Sequence, residues 1–365
     1  RTARCGKYHV APEPVYKFQT KVPGNSRSPW RMAENSKAFI EAQDDRPFFL
    51  YLCTSDPHRG GGRADELPHR PNRFGNPKPG ESYPGIEEVV YDPADVIVPG
   101  FLPDTPICRA ELAQYYQSCS RIDQGLGRLV QILKKAGKWE DTLFLYIADH
   151  GIAMPGAKTT VYEGGMHSPC LVRDPYLSTR GVTTDAMVSW VDLTPTILDF
   201  AGALGKDGQV KPEILQQIGQ PGNRTARSDP QTTRDTVAGT FHGRSFLSVL
   251  GQERSEGWDT VYASHTFHEI QMYYPMRVVR GRKYKLIWNI AHGLPFPFAS
   301  DLWAAPTWQA QWALGWNAPY GAKTVRTYIH RPEFELYDLE SDPYEGQNLS
   351  TDPVHADVLE SLKAE

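Results

Sequence analysis

The chain has 365 residues, with 39 Lys plus Arg against 43 Asp plus Glu and a formal net charge of −4. That near-balance excludes the basic excess of a nucleic-acid binder and gives no polybasic signal for a membrane surface. Hydrophobic residues at 40% and aromatics at 11% exclude disorder, and no apolar run reaches the ~18 residues that span a bilayer.

In chain order, residues 1–5 read as the tail of a strand, followed by Gly6-Lys7-Tyr8-His9. Residues 46–53 form an apolar run that predicts a buried parallel strand, ending in Thr54-Ser55-Asp56-Pro57-His58-Arg59. Residues 63–104 are rich in Pro, Gly and charge and predict a long loop of the kind that carries function. Residues 109–136 predict the best helix: Leu112, Tyr115, Tyr116, Cys119, Ile122, Leu126, Leu129, Val130 and Leu133 recur at spacings of three and four. Lys134 and Lys135 suit its last turn, and Gly137 suits its C-terminal cap. Residues 142–148 predict a second buried strand, ending in Asp149-His150-Gly151. Strand, long helix and strand in series predict a right-handed parallel crossover. A short strand is expected over 168–173, and a helix capped by Asp192 that runs to Ala201 with Gly202 after it. Residues 203–235 read as a surface insertion and 260–265 as a strand. Near residue 270 the character changes. Residues 276–290 alternate and carry Arg277, Arg280, Arg282, Lys283 and Lys285, and 334–338 form another short strand. The expected organisation is therefore an α/β domain over 1–270 and a smaller α+β domain with an antiparallel sheet over 271–365.

The five cysteines include no Cys-x-x-Cys pair, which argues against a structural zinc site. Asn223-Arg224-Thr225 and Asn348-Leu349-Ser350 are sequons, giving Asn223 and Asn348 as candidate glycosylation sites and favouring a lysosomal or secreted protein.

Ligands of open α/β sheets bind beyond the carboxyl ends of the strands. Here those ends carry Lys7 and His9, Asp56-Pro57-His58-Arg59, and Asp149-His150, with Lys158 eight residues further on. Carboxylate, imidazole and ammonium groups together suit a hard cation beside an anionic substrate. Each residue alone also fits an ordinary role: Lys7 as a solvated lysine, His9 as a structural histidine, Asp149 as a turn cap and His58 as a turn residue. Their joint order along the chain is what selects the functional reading.

That order resembles the formylglycine-dependent sulfatase family. Residues 2–9 are similar to its Thr-x-x-x-Gly-Lys-x-His segment. Asp149-His150-Gly151, Lys158 and Tyr162-Glu163-Gly164-Gly165 resemble its second metal-binding motif and the lysine after it. Val191-Asp192-Leu193-Thr194-Pro195-Thr196, Gly243-Arg244-Ser245 and Glu335-Leu336-Tyr337-Asp338, with Asp342-Pro343, Glu345 and Asn348-Leu349, are further family-like segments. Asp56-Pro57-His58-Arg59, Tyr91-Asp92-Pro93, His268-Glu269 with Met272, Tyr274-Pro275-Met276-Arg277 and Pro295-Phe296-Pro297-Phe298 resemble the branch that removes sulfate from the amine of glucosamine in heparan chains. Against that branch, His150 stands in place of Asn and Lys158 in place of Arg, as in the broader family.

The resemblance implies an alkaline-phosphatase/sulfatase-like fold with a mostly parallel central sheet flanked by helices. It implies a sulfated sugar or glycosaminoglycan as substrate, one calcium ion and a formylglycine nucleophile, with a homodimer as a further expectation. Asp149 and His150 would ligate calcium. Lys7, His9, His58 and Lys158 would be catalytic, and His268, Glu269 and Arg277 would contact the sugar. The Cys/Ser-x-Pro-x-Arg nucleophile motif and the first metal motif are expected upstream of Thr2, on strands missing from these residues. The nearest approach is taken as Ser28-Pro29-Trp30-Arg31, with Arg27 in the nucleophile slot. The expected consequence is an enzyme whose residues 1–365 alone are inactive. The competing expectations are a phosphatase or phosphodiesterase of the same superfamily, and a catalytically dead glycan-binding homologue.

Overall fold

The computed structural model describes every residue except 12, 14, 15, 61, 63–71, 219–240, 270 and 271. Its first layer is a three-stranded parallel sheet of β1 (Thr2–Gly6), β2 (Thr20–Val22) and, after helix α1 (Pro29–Glu41), β3 (Phe49–Cys53), in the order β2-β1-β3. Ala3 and Cys5 of β1 point into an apolar layer with Val22 and Met32. The sequence reading passed over α1, although its signals are present. Pro29 opens the first turn, where its missing N–H costs nothing, and Met32, Ala33, Ser36 and Ile40 recur on one buried face. That face packs Ala33 and Ile40 on Leu129, Ile132 and Leu133 of the long helix α2 (Pro106–Lys135). Thr105 caps α2 by accepting from the Cys108 N–H, and Gly137 follows its end at φ 68°.

Strand β4 (Phe144–Ile147) corrects the expected parallel crossover. After the short helix α3 (Glu163–Met166), strand β5 (Cys170–Arg173) pairs with β4 antiparallel, and this ladder is separate from the sheet that holds β3. Phe49 and Tyr51 of β3 instead stack on Phe18. Helix α4 (Leu193–Phe200) follows Asp192 as expected, but Asp192 caps differently: its carboxylate accepts from the Ser189 N–H and the Arg244 N–H. Helix α5 (Pro212–Ile218) occupies the start of the expected insertion.

Strands β6 (Thr260–His268), β7 (Met272–Gly281) and β8 (Tyr284–Asn289) form an antiparallel meander. It straddles residue 270. Helices α6 (Ser300–Trp303) and α7 (Pro306–Ala313), the short pair β9 (Pro319–Tyr320) and β10 (Lys323–Thr324), and helix α8 (Val325–Ile329) lead to β11 (Phe334–Asp338). β11 completes the sheet in the order β11-β8-β7-β6, and helix α9 (Ala356–Ala364) ends the chain as described. The largest core joins the buried face of β7 to α2, α6, α7 and the loop after β4. Met272, Tyr274, Met276 and Trp308 are its centre. The candidate site lies at the edge of this core.

Candidate functional site

Two glycines set the backbone that carries the site. Gly6 takes φ +88°, and a Cβ on it would stand 2.2 Å from the Cys53 carbonyl. The bare Cα lets the chain turn so that the Lys7 N–H donates to that carbonyl at 2.7 Å. Gly151 donates its N–H to the Gly165 carbonyl at 3.0 Å, and a Cβ there would lie 1.7 Å from the Gly164 carbonyl. The glycines of Asp149-His150-Gly151 and of Tyr162-Glu163-Gly164-Gly165 are therefore two sides of one backbone contact.

That contact closes a loop with Lys158 at its centre. Lys158 is 4% exposed, and its neighbour Thr159 is held at φ 66°, a rare conformation for a β-branched residue. The Lys158 Nζ donates to Asp301 Oδ2 at 2.7 Å and stands 3.3 Å from His58 Nε2. The His58 Nδ1 lies 2.7 Å from the Arg59 carbonyl, which can only accept, so Nδ1 carries the proton and Nε2 accepts from Lys158. Asp301 Oδ2 is also 4.0 Å from His58 Nε2. Burial lowers the pKa of His58. Lys158 and Lys7 lower it further against the opposing Arg59 carbonyl and Asp301, so the ring is neutral at pH 7. Burial alone would raise the Asp301 carboxyl, but the hydrogen bond and charge of Lys158 hold it below its ordinary value.

His58 is fixed by a buried frame. Asp56 accepts from Arg27 and from Arg121, both at 2.9 Å, and Arg27 donates to the His58 carbonyl at 2.8 Å. Arg59 turns inward to Glu111 at 2.6 Å, and Glu111 accepts from the Thr307 N–H at 2.9 Å. The loop of His58, helix α2 and the start of α7 thus share one ionic joint.

His268 and Glu269 end β6 on the same side. The His268 pKa is lowered by burial and then by Lys158, with Glu269 and Asp301 opposing. Glu269 accepts from the Ser300 hydroxyl at 3.2 Å, which ties this turn to the residue before Asp301. Lys7 is close enough for its charge to act on His58, whereas His9 is exposed. Arg277 is not brought to the cluster. It is exposed on β7 opposite Ser264 and Trp288, five residues or roughly 17 Å of strand from Met272.

Asp149 is mostly exposed, and its carboxylate lies 3.8 Å from His150 Nε2. The His150 Nδ1 is 2.8 Å from the Gly151 carbonyl, which leaves Nε2 as its free donor atom. Calcium takes six to eight oxygen ligands. Asp149 offers oxygen and His150 nitrogen, and no group of three ligating side chains occurs among the described residues. Asp149 and His150 would supply two of the ligands such an ion takes.

One sequence reading needs correction. Ser55-Asp56-Pro57-His58-Arg59 spells Ser-x-Pro-x-Arg, so the motif does occur within the chain, contrary to the expectation. Its side chains serve the frame instead: the Ser55 hydroxyl lies 2.6 Å from the Ser26 hydroxyl, Asp56 binds two arginines and Arg59 binds Glu111. Asn348 is half-buried and hydrogen-bonded. Its Oδ1 accepts from the Leu336 and Ser350 N–H groups, both at 2.9 Å, and its Nδ2 donates to the Phe334 carbonyl. Asn223 lies outside the described residues. Asp301 was missed, because nothing in Ala299-Ser300-Asp301-Leu302 marks it and its partner is 143 positions away.

Comparison with known proteins places this geometry in context. Residues 8–203 match the family model described as Sulfatase. Human N-sulphoglucosamine sulphohydrolase is 37% identical over 381 aligned residues, covering 100% of this chain and 70% of the human protein. An ulvan-active sulfatase of Formosa agariphila is 23% identical over 95% of this chain and 55% of its own length. Among solved structures, a phosphonate monoester hydrolase of Agrobacterium radiobacter superposes with a TM-score of 0.55 at 16% identity, over 94% of this chain and 61% of that one. The chain thus spans between 55% and 70% of the length of these proteins. The structural likeness shows a shared fold. No described helix is long and apolar enough to cross a membrane.

Proposed function

The chain belongs to the sulfatase family, and from that membership we propose that the protein hydrolyses the sulfuryl group of a sulfated sugar, with the N-sulfated glucosamine of a heparan-type glycan as its substrate. The observation that carries the proposal is the Asp301–Lys158–His58 chain of contacts, 2.7 and 3.3 Å long, on whose histidine the charge of Lys7 also acts. The 37% identity of the chain to human N-sulphoglucosamine sulphohydrolase supports the choice of sugar.

A sulfuryl group gathers negative charge on its oxygens as its bond to the sugar breaks, and preorganised cations stabilise that charge. Lys158 has three N–H donors: one serves Asp301, one points to His58 Nε2, and the third is left for a sulfuryl oxygen. Lys7 adds a second cation. The leaving nitrogen needs a proton. His58 is neutral, with its proton committed to the Arg59 carbonyl, so Lys158 is the residue that holds a transferable proton and His58 orients it. His268 and Glu269 contact the sugar at the rim.

Asp149 and His150 would hold part of a calcium site, no step is derived through that ion, and no described residue is assigned as the nucleophile. The formylglycine that the family resemblance implies is not assigned to Ser55, whose hydroxyl is held by Ser26. Residues 1–365 as a separate polypeptide are accordingly expected to bind the sugar without turning it over. The test is sulfate release from N-sulfoglucosamine and from glucosamine 6-sulfate by the natural gene product. Release from the N-sulfo sugar that falls at least 100-fold in Lys158→Gln supports the reading. No release from either sugar, or full activity in Lys158→Gln, overturns it.

A further inference from the structure

A cleft of about 540 Å³ opens between the loop before α6, helix α7 and the end of α8. Its walls are aromatic: Phe298, Trp303, Trp312 and Trp316, with Pro295 and His330 beside them. Trp303 meets Trp312 at 5.4 Å and 62°, and Trp312 meets Trp316 at 5.2 Å and 77°, so the indoles stand as successive walls at steep angles. Trp303 and Trp316 are 41% and 42% exposed. Large apolar rings left open to water in one concave place mark a binding site.

The walls are rigid. Behind them Trp308 is fully buried, 4.5 Å from Phe298 and 6.4 Å from Trp312, and it joins the cleft to the main core. A ligand landing on rings held in this way orders few side chains, which keeps the entropic cost of binding low.

The charge around the cleft narrows the ligand. No carboxylate lines it. The Arg326 guanidinium, exposed to solvent, lies 5.6 Å from the centre of the Trp316 ring, and the His330 ring lies 5.5 Å from it on another side. A cationic ligand meets cations there and no counter-charge. A sugar of an acidic chain suits both features: the C–H face of its ring lies on an indole, and its carboxylate or sulfate reaches Arg326. Indole suits that partner, since it joins an apolar face to one N–H donor.

The cleft also backs onto the Lys158 site. Asp301 and Trp303 share α6, and residues two apart on a helix point about 200° from one another. Asp301 holds Lys158 at 2.7 Å on one side, while Trp303 lines the cleft on the other. The partition is one helix, roughly 10–12 Å across. A single sugar ring does not span that width, but a chain of several does.

We propose that this cleft is a separate glycan subsite, which stacks an internal sugar ring of an acidic chain whose end lies at Lys158. The inference rests on the sulfated-sugar reading above and extends it from the terminal sugar to the chain behind it. A bilayer is the other surface that takes up exposed tryptophans, but it is met by rings that project, and these line a hollow.

The test is calorimetric titration of N-sulfoglucosamine and of a heparan hexasaccharide into the natural gene product and its variants. The hexasaccharide is expected to bind about tenfold or more tighter than the single sugar. Trp303→Ala and Trp316→Ala are each expected to weaken the hexasaccharide about threefold to tenfold and to leave the single sugar unchanged. Trp316→Phe, which keeps a ring, is expected to retain most of the affinity. Arg326→Gln is expected to weaken the hexasaccharide and to flatten its salt dependence. A melting curve for each variant verifies its fold. If the hexasaccharide binds no tighter than the single sugar, or if the tryptophan variants leave the ratio of the two affinities unchanged, the inference is overturned and the sulfated-sugar reading stands. Loss of binding to phosphatidylcholine–phosphatidylserine vesicles in those variants, with the sugar ratio intact, overturns it in favour of a membrane contact. If the hexasaccharide binds and the tryptophan variants lose it while N-sulfoglucosamine is not bound at all, the cleft is supported and the assignment of the terminal sugar to Lys158 falls.

Discussion

Replacement of Glu111 by Gln probes the joint that holds the pocket. The Glu111 and Arg59 side chains are 0% and 2% exposed, and their 2.6 Å contact is a buried ion pair. Glu111 Oε1 takes Arg59, while Oε2 takes the N–H and the hydroxyl of Thr307. A glutamine fits the space but has only one acceptor oxygen. Whichever way the amide turns, its N–H₂ faces either the Arg59 guanidinium or the Thr307 donors. The Arg59 charge is then buried without an anionic partner, against the Ala153 carbonyl, the Met154 thioether and the Phe74 ring. Removing one partner of a buried pair costs about 3–5 kcal/mol. Urea unfolding of the two proteins measures this as a lowered midpoint at unchanged slope. The double variant Glu111→Gln/Arg59→Met removes the stranded charge and is expected to be more stable than the single one. A loss below about 1 kcal/mol for Glu111→Gln, or a double variant less stable than the single one, would refute the reasoning.

Three further outcomes are expected. Gly151→Ala puts a methyl group into the Gly164 carbonyl, so it should cost roughly 3 kcal/mol or more in thermal unfolding and abolish binding of sulfated sugar; a normal melting curve would count against the contact. The neutral His58, with its pKa lowered from 6.5, should take up a proton when an anion enters, so sulfate affinity should rise as pH falls below 6.5, and His58→Gln should flatten that part of the profile. Burial alone would raise the Glu163 carboxyl, but Lys285 and Arg280 hold it below its ordinary 4.5. Its stabilising contribution is thus present above pH 4.5 and lost as pH falls through the lowered value. Glu163→Gln should therefore cost about 1.5–3 kcal/mol at pH 7 and far less in acid, as read from denaturation midpoints at the two pH values.

The elements that were legible in the sequence have strong local periodicity. Helix α2 announces its buried stripe, β11 its short apolar run, and Asp192 and Gly202 bracket α4 as expected. The parallel crossover was not legible, because strand pairing is decided by contacts across the chain: β4 alone reads the same whether its partner is β3 or β5. At the site, Lys158 and His58 were recognised through motif order, but Asp301 and Glu111 were not. A carboxylate whose work is to meet a cation 143 residues away carries no local pattern. The Ser-x-Pro-x-Arg spelling at Ser55 shows the converse, since its residues match a chemical motif and serve as a frame.

The family-like segments divide in the same way. Gly151 meets Gly164 and Gly165; Asp192 meets the backbone of Arg244; the Tyr162 hydroxyl donates to Glu335 at 2.8 Å, and the Glu163 N–H donates to Glu345 at 2.6 Å. Lys285, fully buried, lies 3.1 Å from Glu163 and 2.8 Å from Glu345, tying the turn after Lys158 to the antiparallel sheet. Every one of these contacts joins two segments that the sequence reading singled out separately, and none reaches the pocket itself. Their recurrence therefore attests to how the sheet and the site loop are joined. The proposed chemistry rests on far fewer groups: Lys7, His58, Lys158 and the Asp301 that holds Lys158. A protein could keep every joint and still change its reaction by altering those four, so substitutions at the joints should lower stability and activity together, whereas substitutions among the four should alter ligand choice or turnover in a protein that melts normally.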